Sequence, residues 1–294
     1  MIAVVLNPAS RGGKTLGLLP KVATALQATG RPHEIYLTTG PNDAPEAAQR
    51  LLDRGAEIVI AVGGDGTFNE VANGLVASGK DVPLGLIPSG HGSDFVRTVG
   101  TPTDVTHALD HCLNGARRAI DIGRATYADG SSRVFLNLAG LGFDAAVAER
   151  ALTTKMPGSV LPYLWSLGGA LFSYEKLHVA VEADGQRVTG SAISVLVANA
   201  KYAAGGMKVA PMAEIADGVL DVAIIGDIGK FELVRQVPNV YRGKHINHPK
   251  FTHLPVRSVR IETNVPARVQ LDGELHGSSP VTFSVEPGAL TLAG

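Results

Sequence analysis

The stretch Val62-Gly63-Gly64-Asp65-Gly66-Thr67-Phe68-Asn69-Glu70 sets a carboxylate inside a glycine-rich turn. An apolar run from Ile58 to Val62 enters it as a strand. Thr67-x-x-Glu70 has capping-box spacing, so a helix is predicted over Asn69 to Ala77. Glycines between a strand end and a helix N-terminus let backbone N–H groups and the helix dipole point at an anion. A turn needing positive φ accounts for one of these glycines, not three. Gly63, Gly64 and Gly66 therefore read as a phosphate cradle.

Working outward, the same strand-then-helix alternation fills the first 120 residues. Ile2 to Leu6, His33 to Thr38 and Leu84 to Ile87 are predicted strands, and Ala44 to Asp53 a helix. Apolar runs that do not alternate suit a parallel sheet buried on both faces, so this half is predicted to be doubly wound α/β. From about Asp121 short β-branched runs dominate, many separated by Asp-Gly turns such as Asp184-Gly185, Asp217-Gly218 and Asp272-Gly273. A β-rich second domain over 121–294 follows, with a rigid cleft between the two domains as the expected place for a site.

Composition narrows the function classes. Across 294 residues, Lys and Arg total 26 against 27 Asp and Glu, with no long run of either sign, which disfavours nucleic-acid binding. A single cysteine, Cys112, excludes an internal disulfide, and MIAVVLNPAS lacks the features of a signal peptide, so cytoplasmic residence is expected. Met156 to Tyr174 is uncharged, but Pro157 and Pro162 leave at most a helix of about 20 Å, too short for a hydrocarbon core of about 30 Å. It reads either as a core helix or as an apolar lip for a lipid or a bilayer surface. With net charge near zero, any membrane contact is expected to be local and transient. A homodimer is compatible with a sequence that carries no signal of oligomeric state.

A second glycine turn, Pro88-Ser89-Gly90-His91-Gly92-Ser93-Asp94-Phe95, follows the next predicted strand. Adjacent parallel strands open their loops at one edge, so both turns and Asn7-Pro8 are expected to enclose one ligand. Asp65 and Asp94 would both face that edge, and two carboxylates tolerate a triphosphate only with a divalent cation between them; Mg²⁺, bound directly or through water, is the expected ion. Gly13-Lys14-Thr15 lacks the glycine a P-loop needs five positions earlier, and no GxGxxG follows a strand. His245, His248 and His253 have no ligand partners at metal spacing and read as a surface loop.

Asn7-Pro8, VGGDGTFNE, PSGHGSDF, GGMKVAPMAEIADGVLDV and VQLDGE together resemble the diacylglycerol-kinase-type lipid kinases, specifically the soluble bacterial ones, in order along nearly the whole chain. The resemblance implies an N-terminal nucleotide domain akin to those of NAD kinases and phosphofructokinases, a C-terminal β-sandwich, and ATP as phosphoryl donor. It also implies that Gly63 to Asn69 hold the phosphates, that Thr38 contacts the nucleotide, and that Asp65 belongs to an acidic network organising a catalytic Mg²⁺. Asp272 would be the general base with Glu274 beside it. Asp217 would bind a structural Mg²⁺, with backbone carbonyls near Glu214 and Val219. Where the family has Gly-Thr followed by Asn-Asp, this chain has Gly90-His91 and Ser93-Asp94, which opens the question of nucleotide affinity.

The expected activity is therefore ATP- and Mg²⁺-dependent phosphorylation of a hydroxyl on diacylglycerol or a similar lipid. Two alternatives stand beside it. One is an NAD-kinase-like transfer to a soluble acceptor, which leaves the LDGE segment unexplained. The other is a nucleotide-binding regulatory protein without turnover.

Overall fold

The computed structural model describes residues 1–90, 93–153 and 176–294. His91 and the apolar segment Met156 to Tyr174 lie outside the described residues. The chain divides into two compact units, Met1–Ile120 with Gly288–Gly294, and Asp121–Pro287. The last seven residues thus belong with the first unit, whereas the sequence assigned them to the second.

In unit 1, β1 (Ile2–Leu6), β2 (His33–Leu37), β3 (Ile58–Gly63) and β4 (Leu84–Pro88) form a parallel sheet in the order β2-β1-β3-β4. Helices α1 (Leu19–Ala28), α2 (Asp43–Asp53), α3 (Asp65–Ser78), α4 (Asp94–Val99) and α5 (Val105–Asn114) alternate with the strands. Every residue of β1, β3 and β4 is buried, as the unbroken apolar runs require of strands covered on both faces. Ala44, Ala47, Ala48, Leu51 and Leu52 recur at helical spacing and form the buried face of α2. That face meets α3 at Gly74, where a Cβ would stand 2.5 Å from the Pro45 carbonyl oxygen, so the helices approach only because position 74 has no side chain.

The Thr67–Glu70 capping box does not form. The α3 helix starts at Asp65, two residues before the predicted cap, with Gly64 in the cap position and no side-chain cap bond. Glu70 accepts instead from the Asn42 amide at the entrance to α2, 3.0 Å away. A tertiary donor outcompeted the local one.

Unit 2 is built from antiparallel strands: β5 (Arg117–Tyr127, entering from unit 1), β6 (Ser132–Phe135), β7 (Leu138–Gly142), β8 (Leu177–Ala183), β9 (Gln186–Ala198), β10 (Leu220–Gly226), β11 (Phe251–Val256), β12 (Ser258–Thr263), β13 (Arg268–Leu271), β14 (Glu274–Ser278) and β15 (Val281–Ala293, which passes into unit 1 at Gly288). They run β14-β13-β7-β9-β8-β12-β15, with β10 between β9 and β11 and β6 on β5. Phe135 and Phe283 meet edge to face at 6.0 Å in the core, and Gly123 is bare because the Phe135 ring fills the place of its side chain. Among the described residues, the unit also carries helices α6 (Phe143–Thr153) and α7 (Lys230–Tyr241). The predicted run Val134 to Leu138 is broken, since it spans the end of β6 and the first residue of β7.

The three histidines do not form a surface loop. His245 is buried, within 3.0 Å of the Val209 carbonyl and edge-on to Phe251. His248 lies 3.0 Å from Glu232, and His253, on β11, lies 2.5 Å from Asp221. Spacing alone missed these partners because they come from other elements.

Candidate active site

Sheet order β2-β1-β3-β4 places a topological switch between β1 and β3, where ligands of open α/β sheets bind. Asn7 leaves β1 at that edge, Gly63 ends β3, and Ser89 follows β4, its amide donating to the Gly63 carbonyl at 2.8 Å. Asn7 Oδ1 accepts the amides of Ala9 and Ser10, and its Nδ2 donates to Thr67 Oγ1 at 3.2 Å. Arg11, in a left-handed conformation, donates to the Ser89 carbonyl at 2.9 Å, and its guanidinium lies 2.9 Å from where a Cβ on Gly90 would stand. A cation therefore leans over the second glycine loop. Thr38 is buried at the same edge, its amide bonded to Leu6, and the adjoining loop is held by Asp43, whose carboxyl is kept below its ordinary pKa chiefly by the Thr39 amide.

None of Gly63, Gly64 and Gly66 has a positive φ. At Gly63 a side chain would overlap the Thr67 hydroxyl, so this glycine admits close contact between strand and helix. Above Gly64 the nearest atom to a Cβ would be Ser10 Oγ at 3.6 Å. A Cβ there would meet Ser10 in ordinary van der Waals contact, so packing within the chain does not demand a glycine at this position. Asn69, in the second turn of α3, is buried and receives the Asn73 side-chain amide.

The Asp65 carboxylate is held by three donors from the second glycine turn and the helix after it. Its Oδ1 accepts from Ser93 Oγ and from the Phe95 amide at 3.2 Å, and its Oδ2 from the Asp94 amide at 2.9 Å. It ties the second glycine turn to the first and fills donors at the start of α4. Desolvation outweighs these donors and raises its pKa above the usual carboxylate value. Of about four acceptor directions on a carboxylate, three are taken, which fits a metal-bound water better than direct ligation of Mg²⁺. Asp94 is buried next to it.

In unit 2, Asp272-Gly273 is a two-residue hairpin turn between β13 and β14, with φ of 49° and 89°. The Asp272 carboxylate accepts three backbone amides, from Leu136, Asn137 and Leu138, at 2.8 to 2.9 Å. Glu274 lies 3.5 Å from both Arg133 and His276, and its pKa is lowered first by His276 and then by Arg133, against the opposing effect of burial. Arg133 and His276 also line a cavity of about 520 Å³ with Tyr127, Ser278 and Pro280.

Sequence reasoning missed two acids. Asp144 is enclosed by Ser194 and Gln270, and burial pushes its pKa up to about 6. Gln270 passes the contact on, since its Oε1 accepts the Gly273 amide at 2.8 Å. Asp121, 3% exposed, accepts the Gly218 amide at 2.7 Å and offers its own carbonyl to Asn199, stitching the Asp217-Gly218 turn to β5. Nothing local in the sequence marks either residue; a lone acid in an apolar run is the only signal.

At the expected second metal site, Asp217 Oδ1 accepts the Val219 amide at 3.2 Å, while the Glu214 side chain pairs with Lys201 at 3.1 Å. The charges of Asp217 and Glu214 help burial raise the pKa of Asp221, so these acids share one neighbourhood. Among the described residues no three His, Cys, Asp or Glu side chains are grouped to hold a metal ion. The site therefore fits a hard cation only with one carboxylate and backbone oxygens.

The family comparisons match both units. The diacylglycerol kinase catalytic domain matches residues 1–125, and the YegS C-terminal NAD kinase β-sandwich-like domain matches 137–294. The chain belongs to the diacylglycerol kinase family, with a mixed α/β catalytic domain followed by a β-sandwich-like domain. It is 32% identical to a diacylglycerol kinase of Staphylococcus carnosus, over 95% of this chain and 90% of that one. It is 31% identical to that of Bacillus subtilis, over 95% and 91%. A solved structure of a candidate diacylglycerol kinase from Bacillus anthracis str. Sterne superposes with a TM-score of 0.80 at 26% identity, covering 99% of this chain and 96% of that one.

Proposed function

We propose that the protein is a lipid kinase that transfers the γ-phosphoryl group of ATP to a hydroxyl of diacylglycerol or a similar lipid, with Mg²⁺ as the required cation. The observation that carries this is the Asp65 clamp, which joins two glycine turns at the switch point of a parallel sheet. The relatives' name, diacylglycerol kinase, supports a lipid acceptor.

Phosphoryl transfer needs positioning, charge compensation and a group to take the hydroxyl proton. Backbone amides at Gly64 to Thr67 and the Arg11 guanidinium hold the donor phosphates. Asp65 and Asp94 would hold a Mg²⁺ ion, and the ion would supply positive charge against the phosphoryl oxygens. Asp272 takes the hydroxyl proton, with Glu274 beside it. The three amides on Asp272 keep its carboxylate fixed in the hairpin. Asp217, with carbonyls at Glu214 and Val219, would hold a second, structural Mg²⁺.

Purified protein incubated with labelled ATP, Mg²⁺ and detergent-dispersed lipids tests this. Label in the organic phase supports it. Label in a soluble nucleotide points to an NAD-kinase-like transfer, and ATP binding without transfer points to a regulator; either outcome ends the lipid-kinase reading.

A further inference from the structure

Helix α7 is twelve residues long and has no buried residue. Its inner side is apolar and covered: Leu233 packs on Phe143, Val147, Ile193 and Ile228, and the Val240 carbonyl accepts the Lys208 amide at 3.2 Å. The outer side is also apolar. Phe231 is 78% exposed, Val234 49% and Tyr241 38%. With Pro238 they occupy an arc of about 80° on the helix circumference.

Cations flank this arc. The exposed residues of the helix and the next position are Lys230, Phe231, Val234, Arg235, Pro238, Tyr241 and Arg242, which include no acid. Lys230 and Arg235 stand at the two margins of the apolar arc. The one acid in α7, Glu232, is turned away and lies against His248. From Gly229 to Lys250 the chain carries five Lys and Arg against that single acid, in a protein whose net charge is −1.

Aromatic and aliphatic side chains between basic ones are what a helix lying in a membrane interface presents: the apolar arc enters the headgroup boundary and the cations meet anionic lipid. We propose that α7 is a membrane-docking element whose outer face lies on a bilayer surface carrying anionic headgroups. The inference deepens the lipid-kinase reading, since it says how an enzyme reaches an acceptor dissolved in a bilayer. Docking is nevertheless measured without turnover, so the two fail separately.

The test is co-flotation of the full chain with vesicles of phosphatidylcholine alone or mixed with phosphatidylglycerol. The protein should partition onto the mixed vesicles, less so as salt rises. Lys230→Gln with Arg235→Gln should lower that partitioning by about tenfold or more. Phe231→Ala with Val234→Ala should lower it by about tenfold. Because these side chains are exposed, melting temperatures and activity on detergent-dispersed lipid should hold for both pairs, while activity on vesicle lipid falls with binding. Equal binding to both vesicle types, or unchanged partitioning of both pairs, overturns the proposal. So does an apolar pair that keeps vesicle binding but changes a dimer into a monomer by light scattering, which would assign the face to a second copy of this chain.

Discussion

Two aspartates sit in glycine turns, one in each unit, and each is gripped by three donors. Asp65 receives a hydroxyl and two amides from the neighbouring loop, and its glycines have ordinary backbone angles. Asp272 receives three amides from the β6–β7 connection and the first residue of β7, and it and Gly273 both require the left-handed region. The first turn is rich in glycine because something must come close; the second contains glycine because the chain must reverse. A shared Asp-Gly spelling hides opposite physical reasons.

The hardest break of that comparison is Asp272→Asn. An amide cannot serve as base, so turnover should fall about 10²-fold or more. Its NH₂ would also face backbone donors, lowering stability by about 1–3 kcal/mol. Labelled-ATP assays alongside thermal unfolding separate the two effects. A melting shift with turnover intact would make Asp272 a turn residue only.

Asp65→Ala strikes the other clamp and leaves the Asp94 and Phe95 amides without their acceptor, costing on the order of 3 kcal/mol. The Mg²⁺ concentration for half-maximal activity should rise as well. A variant that melts early yet titrates with Mg²⁺ like the parent would leave Asp65 as a loop staple with no part in metal binding.

Asp144 supports the second turn through Gln270. Its pKa is raised from 3.8 to about 6, so between those values the folded state holds the extra proton and stability from this group declines as pH rises. Below about pH 4 its contribution is fully present, and above about pH 6 it is lost, a span of at most about 3 kcal/mol. The difference between wild type and Asp144→Asn, read from denaturant unfolding across that window, should show this downward slope. A flat difference would mean the carboxyl is better solvated than its neighbours suggest.

Glu274→Gln should be the mildest change, below about 1 kcal/mol in stability, because its contacts to Arg133 and His276 are long and partly exposed. If it cuts turnover more than Asp272→Asn does, the base is Glu274 and the roles within the hairpin are reversed.

How much could be read in advance follows from the range of each interaction. The GGDG turn, the parallel strands beside it and the Asp272-Gly273 hairpin are local, and periodicity or turn chemistry reports them directly. Glu70 had the right spacing to cap its own helix yet bonds Asn42, a residue far back in the chain. The sequence places Asp65 in the glycine turn at the end of β3, but it does not show Ser93, Asp94 and Phe95 as its partners.

By itself, the amino-acid sequence determined the split into an α/β unit and a β-rich unit, the edge of the sheet where glycines gather, and the membership signalled by its motifs. Each depends on residues a few positions apart, whose conformations are coupled by the backbone. Only the tertiary structure decided that Gly288–Gly294 return to the first unit, that Asp144 reaches the Gly273 turn through Gln270, and that the outer face of α7 is left bare. Those outcomes depend on which distant surfaces exclude water from one another, and no local pattern in the chain encodes that choice.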